Sequence, residues 1–342
     1  LLTRAVEAKL SVEELSCVCS FIFPNDRDAQ SQLLEILTEE IADYFINEFS
    51  EESKTNLILV LDKDLLEIPW ESLPCLVNTN IPVSRALGMH YLISRLQSPG
   101  TNTNSSRSSS PQLTGVTGKC NSPVRSVNSS HTFYIIDPTG CLPYTAQKFG
   151  DWFPKEDGWS GNVGQVPDIG YVKDQLTSKE LYVFCGHGSG STYVGGRRVL
   201  ELLRRAPVSL LMGCSSVQMK SANNLYEPLC SSLYLLLCGS NAVVGNLWMV
   251  TDRDIDTFTE ALLRSWTKRR PPASPANQKL PGKSRGRAKP ATTTAVSDKK
   301  ALESIQSKSD LALAVKLSRT YCRLQLITGA APVLYGLPVH CD

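Results

Sequence analysis

Neither sign of charge dominates this chain, and histidine is scarce in it. Its 342 residues carry 35 Lys and Arg against 33 Asp and Glu, a formal net charge of +2, so no global field draws it to nucleic acid or to a membrane surface. With four histidines and no Cys-x-x-Cys pair, no zinc-site pattern is present, and Cys185 beside His187 is too little to make one. No cofactor motif occurs, so neither a metal nor an organic cofactor is expected. The first residues lack a signal-peptide pattern, and with eleven cysteines this predicts a reducing compartment, cytoplasmic and nuclear, rather than a disulfide scaffold. The chain opens on Leu1 rather than methionine, from which a fragment of a longer protein is expected. Long hydrophobic runs are also missing. The closest approach, the uncharged stretch from Pro228 to Val250, is interrupted by Gly239, Ser240, Asn241, Gly245 and Asn246. It reads as a buried helix from Tyr226 to Cys238, a glycine turn and a central strand from Ala242 to Trp248, and no membrane span is predicted.

What is present organises into three parts. Residues 1–96 read as a helical and mixed support region that packs on the protein's main domain. Leu33, Ile36, Leu37, Ile41 and Tyr44 fall at helical steps, Leu57 to Leu61 reads as a strand, Pro69 opens a helical turn, and Val83 to Leu96 reads as a helix. Residues 97–130 are Ser, Thr, Asn, Pro and Gly with almost nothing to bury, which predicts a disordered insertion. A second such insertion is expected within 131–342, at about 268–309. It is basic, from Lys268 through Lys289, and could touch nucleic acid or acidic partners, although a solvated loop is the favoured reading. The rest of 131–342 alternates strands, at 132–137, 181–185, 208–212, 242–248 and 333–337, with helices near 141–153, 170–178, 196–205, 226–238, 252–267 and 309–324. That alternation predicts an α/β fold built on a mostly parallel sheet with helices on both faces.

Two of those strands end in chemistry. Leu-Tyr-Val-Phe-Cys runs into Gly-His-Gly-Ser-Gly (186–190), and Val-Ser-Leu-Leu-Met runs into Gly-Cys-Ser-Ser (213–216). Apolar runs that stop at glycine and a reactive side chain are how a parallel sheet presents groups at its carboxyl edge. His187 and Cys214 therefore read as a cysteine-hydrolase pair. Histidine before cysteine excludes the papain and glutaminase order, since only His340 follows Cys214. Lys220, six residues after Cys214, stands where a phosphatase loop needs arginine. A free thiol ionises near pH 8.5, about a few per cent at neutral pH, so Cys214 needs a partner such as His187.

With Gly-Asn-Leu-Trp-Met-Val-Thr-Asp-Arg-Asp-Ile-Asp (245–256), Gly-Ala-Ala-Pro-Val-Leu-Tyr-Gly-Leu-Pro-Val (329–339) and Ile-Pro-Trp-Glu-Ser-Leu-Pro (68–74), these motifs closely resemble the separase family of the caspase-like clan. The resemblance spans roughly positions 57 to 340 outside the two polar insertions. It implies a caspase-like fold and a cysteine endopeptidase that cleaves after arginine in the kleisin subunit of cohesin, triggering sister-chromatid separation. It also implies inhibition by the pseudosubstrate securin and a place on mitotic chromosomes and spindle. His187 would protonate the leaving amine, and the N–H groups of Gly188 and Cys214 would hold the oxyanion. A substrate arginine calls for a carboxylate in bidentate geometry. The acidic group Asp252, Asp254 and Asp256, after a strand parallel to those of His187 and Cys214, is where it should lie, with Asp252 or Asp254 favoured and Trp248 as pocket wall. One of these aspartates is also expected to cap the following helix. Glu71 is a candidate for organising the substrate site from the support region, or else a helix-start carboxylate. Asp137, at a strand end, is equally open. His90, His131 and His340 read as structural. Two residues depart from the family pattern: Ser189, where alanine is common, and Met249, where an acidic residue is common. Glu201-Leu-Leu-Arg204 has the spacing of a cleavage motif, but it falls in an expected helix and should not be cut. Two other readings fit the same residues: a caspase-like peptidase with a different substrate, or a non-catalytic caspase-like interaction module.

Overall fold

The computed structural model describes residues 26–35, 56–77, 81–97, 125–194, 199–200, 206–219, 230–268 and 310–342. Most of the expected N-terminal helices, nearly all of both polar insertions, and the Glu201 to Arg204 stretch lie outside these residues.

Short apolar runs form most of the strands: β1 Leu57–Val60, β2 Val83–Ala86, β3 Arg125–Val127, β4 Thr132–Ile136, β5 Ser160–Val163, β6 Leu181–Cys185, β7 Val208–Leu211, β8 Ala242–Asn246, β9 Pro332–Gly336 and β10 Val339–Cys341. Eight of them join one sheet in the order β1-β2-β9-β8-β7-β6-β4-β5, and β3 pairs with β10 beside it. Every neighbouring pair is parallel except β8 and β9, where Ala242 stands opposite Gly336. The carboxyl ends of β4, β6, β7 and β8 therefore share one edge. The antiparallel β9 begins at that same edge.

The helices are α1 Arg27–Glu35, α2 Pro74–Val77, α3 Met89–Gln97, α4 Pro143–Gly150, α5 Ile169–Ser178, α6 Ser191–Val194, α7 Ser231–Leu237, α8 Asp252–Trp266 and α9 Leu311–Ser318. Alternate strand residues feed two cores, because successive side chains of a strand point to opposite faces. Ile136, Val183, Leu210 and Val244 pack with Phe258, Leu262 and Trp266 of α8 and with α9, while Phe133, Phe184, Leu211 and Val243 pack with α5 and α7. Helices thus cover both faces, which is why the central strands are largely apolar. Among the described residues no helix is long and apolar enough to cross a membrane.

Besides β10 and the short α6, which the sequence reading lacks, three strands differ from it. Val83–Ala86, expected as the start of a helix, is a fully buried strand between β1 and β9, and the helix begins only at Met89. Its Ser-Arg pair hid the strand, since Arg85 is an internal residue here. Arg125–Val127, inside the segment expected to be an insertion, is β3, held by its parallel partner β10. Ser-Gly-Asn-Val of β5 carries no strand pattern; it lies at the sheet edge, where Gly161 fits against the Tyr134 carbonyl so closely that a Cβ would overlap it.

Candidate active site

β6 and β7 are immediate parallel neighbours, with Phe184 opposite Leu211. The Met212 N–H still donates to the Phe184 carbonyl at 2.8 Å, so both chains leave the sheet together. A Cβ on Gly213 would overlap the carbonyl oxygens of Gly186 and Gly188. Only a glycine permits the loop of Cys214 to pack on the loop of His187 in this way. Ser215 follows with φ 51°, a left-handed turn that presents Cys214 at its tip. A net of bonds from β8 fixes the turn. The Ser215 N–H donates to the Trp248 carbonyl at 2.9 Å, and the Asn246 side-chain amide donates to the Gly213 carbonyl at 2.9 Å. The buried Ser216 hydroxyl donates to the Leu211 carbonyl at 2.6 Å and accepts from the Asn246 N–H at 2.9 Å.

Cys214 is half-buried, and His187 is exposed. The sulfur accepts from the Val250 N–H at 3.4 Å and lies 3.3 Å from the Val250 carbonyl, to which the thiol donates. Gly188 has φ 67° with open space where a side chain would stand. Among the described residues its N–H and that of Cys214 donate to no protein acceptor.

His187 and Cys214 line two cavities, one on each face of the sheet. The first, with about 10 Å³ free, lies between Leu142 of the β4 exit and the start of α8, and both Asp252 and Asp256 line it. The second, about 470 Å³, opens toward α6 and α7. Asp252 is exposed, whereas Asp256 is buried and accepts the Thr145 hydroxyl at 2.7 Å. Burial pushes the Asp256 carboxyl up to about 6, against the partial relief given by Thr145 and Lys148. Cys185, behind the site, has its thiol raised by burial and by Asp256.

The other residues singled out by sequence have different surroundings. Asp254 is buried, and its two oxygens accept the N–H groups of Arg323 and Leu324 at 2.8 and 2.9 Å. It braces the segment leading to β9 and lines neither of these cavities. Trp248 donates its indole N–H to the Ile327 carbonyl at 2.7 Å, clasping the same segment, and it too stands outside both linings. Glu71, expected near the substrate, is taken up elsewhere. Its oxygens pair in bidentate fashion with Arg85 at 2.6 and 2.7 Å, and Arg85 also donates to the carbonyls of Leu66 and Ile68. Burial raises the Glu71 carboxyl, but Arg85 outweighs it and the net displacement is downward. Glu71 is thus a brace of the β2 layer. Asp137, at φ 42°, accepts the Cys141 and Leu142 N–H groups and shapes the β4 exit. His131 meets Glu180 at 3.0 Å on the surface. Among the described residues no cluster of His, Cys, Asp and Glu could hold a metal ion.

The sequence reading places Asp256 in the same acidic group but favours Asp252 or Asp254 for the arginine, although a signal for Asp256 existed. Positions 252 and 256 are four apart and share a helix face, while 254 points away from them.

Comparison with known proteins agrees with the resemblance. The family model described as the protease domain of separin matches residues 23–255. The chain belongs to the separin protease-domain family. Mouse separin is 36% identical over 284 residues, which are 83% of this chain and 11% of the mouse protein. Separin of Emericella nidulans is 35% identical over 283 residues, 83% of this chain and 11% of that one. Separin of Schizosaccharomyces pombe is 30% identical over 318 residues, 93% of this chain and 14% of that one. The chain therefore spans about a tenth of the length of these relatives. Among solved structures, the separase–securin complex of Saccharomyces cerevisiae superposes with a TM-score of 0.62 at 25% identity, covering 93% of this chain and 18% of that chain. The α/β architecture of the family, a mostly parallel sheet clad in helices, is the one described above.

Proposed function

We propose that this chain is the proteolytic part of a separin, a cysteine endopeptidase in which His187 and Cys214 form the reacting pair and cleavage follows arginine in the kleisin subunit of cohesin. One observation carries the reading: the imidazole and the sulfur, from adjacent strand ends, border one cavity that also holds two carboxylates. In the reaction the Cys214 thiol passes its proton to His187, the Val250 N–H helping to hold the thiolate, and sulfur attacks the carbonyl carbon of the arginine. The tetrahedral oxyanion is held by the N–H groups of Gly188 and Cys214, each worth on the order of 3 kcal/mol. His187 then protonates the departing amine, leaving a thioester, and deprotonates the water that releases the carboxylate product.

Asp252 and Asp256 supply the charge for the arginine, since a guanidinium is matched by carboxylates in a planar fork. Asp252 meets it at the mouth and Asp256 at the base. With only about 10 Å³ free, the cavity admits a guanidinium once the Val250 main chain shifts off the sulfur. Asp254 and Trp248 act through the segment they brace, and Glu71 through the layer that carries β2. Securin is the proposed inhibitory partner, supported by the solved relative being a separase–securin complex. The basic tract from Lys268 to Lys289 is the proposed contact for nucleic acid, and the cytoplasm and nucleus are the proposed sites of action.

The test is covalent labelling of the full chain by a peptide arginine acyloxymethyl ketone, read by intact mass and peptide mapping. One adduct on Cys214, lost in Cys214→Ser while the circular dichroism spectrum is unchanged, is expected. An adduct on another cysteine, or equal labelling by an aspartate analogue, would contradict the assignment.

A further inference from the structure

The second cavity, on the face of the sheet opposite the carboxylates, shares His187, Cys214 and the oxyanion donor Gly188 with the chemistry above, and the rest of it has no part there. It is about 470 Å³, where pockets that hold whole ligands begin at about 300 Å³. Beyond the Cys214 turn with Ser215 and Ser216, its side-chain wall comes from two sources. The β6 exit loop and α6 contribute Ser189, Ser191 and Thr192, and the far side contributes Gln218, Cys230 and Tyr234. These are hydroxyls, an amide and a thiol. Among the described residues no Asp, Glu, Lys or Arg lines it, in contrast to the first cavity.

The two walls are built rather than incidental. The Gln218 N–H donates to the Ser215 carbonyl at 3.2 Å, which ties that side to the turn of Cys214. Tyr193 of α6 donates its N–H to the Gly190 carbonyl at 3.0 Å and sets its ring, tilted by 35°, 6.2 Å from that of Phe184 of β6, which holds the other side.

We infer that this cavity is the subsite for the substrate residues following the scissile bond, and that it selects uncharged, hydrogen-bonding side chains there. This rests on the proposed cleavage after arginine. With the arginine on the carboxylate face and the carbonyl over Cys214, the leaving nitrogen must reach His187 to be protonated. The chain beyond that nitrogen then passes over Gly188 to Thr192 and into the second cavity. A serine, threonine or glutamine finds hydroxyl and amide partners on its walls. A charged side chain gives up part of its hydration there and meets no counter-ion among the described residues.

The test uses the full chain and four peptides identical up to the arginine, followed by serine, glutamine, glutamate or lysine, with kcat/KM measured by mass spectrometry. The neutral pair should be cleaved about five- to tenfold faster than the charged pair. Gln218→Glu should shift the lysine-to-glutamate ratio of kcat/KM upward by about tenfold, and Gln218→Lys should shift it downward by a similar factor. Equal cleavage of all four peptides, or a ratio that neither substitution moves, overturns the subsite while leaving cleavage after arginine intact. Absence of cleavage after arginine in every peptide overturns both.

Discussion

Gly213 packs against the Gly188 backbone at the site, and replacing each by alanine should cost different amounts for different reasons. At Gly213 the new Cβ would fall within the carbonyl oxygens of Gly186 and Gly188, both backbone atoms that no rotamer change can move. The β6 and β7 exit loops would have to part by about an ångström. Overpacking of this kind costs about 1–3 kcal/mol, and with two backbone oxygens involved the upper end is expected. At about 2–4 °C per kcal/mol for a domain near 200 residues, Gly213→Ala should lower Tm by about 6–12 °C. Parting the loops also moves His187 from Cys214, and a misplacement of about 1 Å costs about a hundredfold in rate. At Gly188 a Cβ would meet nothing within 4 Å, so the only penalty is the left-handed backbone at φ 67°, about 1–2 kcal/mol for an ordinary residue. Its Tm should fall by about 2–8 °C, with less than a tenfold loss of kcat/KM on an arginine peptide. Differential scanning fluorimetry and peptide cleavage on the two variants decide the matter. If Gly213→Ala were the more stable and more active of the two, the packing of one loop on the other would be refuted.

Asp256 and Glu71 respond to pH in opposite senses. The Asp256 carboxyl is lifted from 3.8 to about 6 by burial, so the folded state holds its proton the more tightly. Its contribution to stability is present below pH 3.8 and is lost as pH rises through 6, by up to about 3 kcal/mol, and Asp256→Asn should remove that slope from urea unfolding measured between pH 4 and 7. For the same reason KM for arginine peptides should rise as pH falls below about 6, with kcat less affected; a KM constant from pH 5 to 8 would separate Asp256 from arginine binding. Glu71, held below its usual range by Arg85 despite burial, contributes stability above its unfolded pKa that is lost as acid protonates it. Glu71→Gln leaves a fully buried guanidinium without its counter-charge and should cost about 3–5 kcal/mol by chemical denaturation, whereas loss of 0.5 kcal/mol or less would show the pair to be idle.

How far the chain could be read from its residues follows from the range of each signal. The central strands β4, β6, β7 and β8 are largely apolar runs, because each is covered on both faces, and such runs are visible in one dimension. The adjacency of the strands ending before His187 and Cys214 was legible for the same reason, with the glycines marking where the runs stop. β2 was not, because an internal arginine looks like a solvent-facing one until Glu71 is beside it. β3 and β5 were not, because their pairing partners lie on distant parts of the chain or supply the closeness that a glycine permits. The roles of the three aspartates divide by tertiary surroundings: Asp252 and Asp256 border the cavity, while Asp254 meets the backbone of Arg323 and Leu324, seventy positions away.

The sequence by itself determined the layered α/β plan, the two strand ends that carry imidazole and thiol, and the family to which those motifs belong, since local apolar runs and short motifs are properties of contiguous residues. Tertiary structure alone decided that β9 runs against its neighbour and so brings Ile327 and Thr328 to the edge where Trp248 and Thr251 emerge. It also decided that one sheet edge holds an acidic cavity on one face and an uncharged one on the other. Strand direction and the sharing of a cavity depend on contacts between residues far apart along the chain, and no local pattern encodes them.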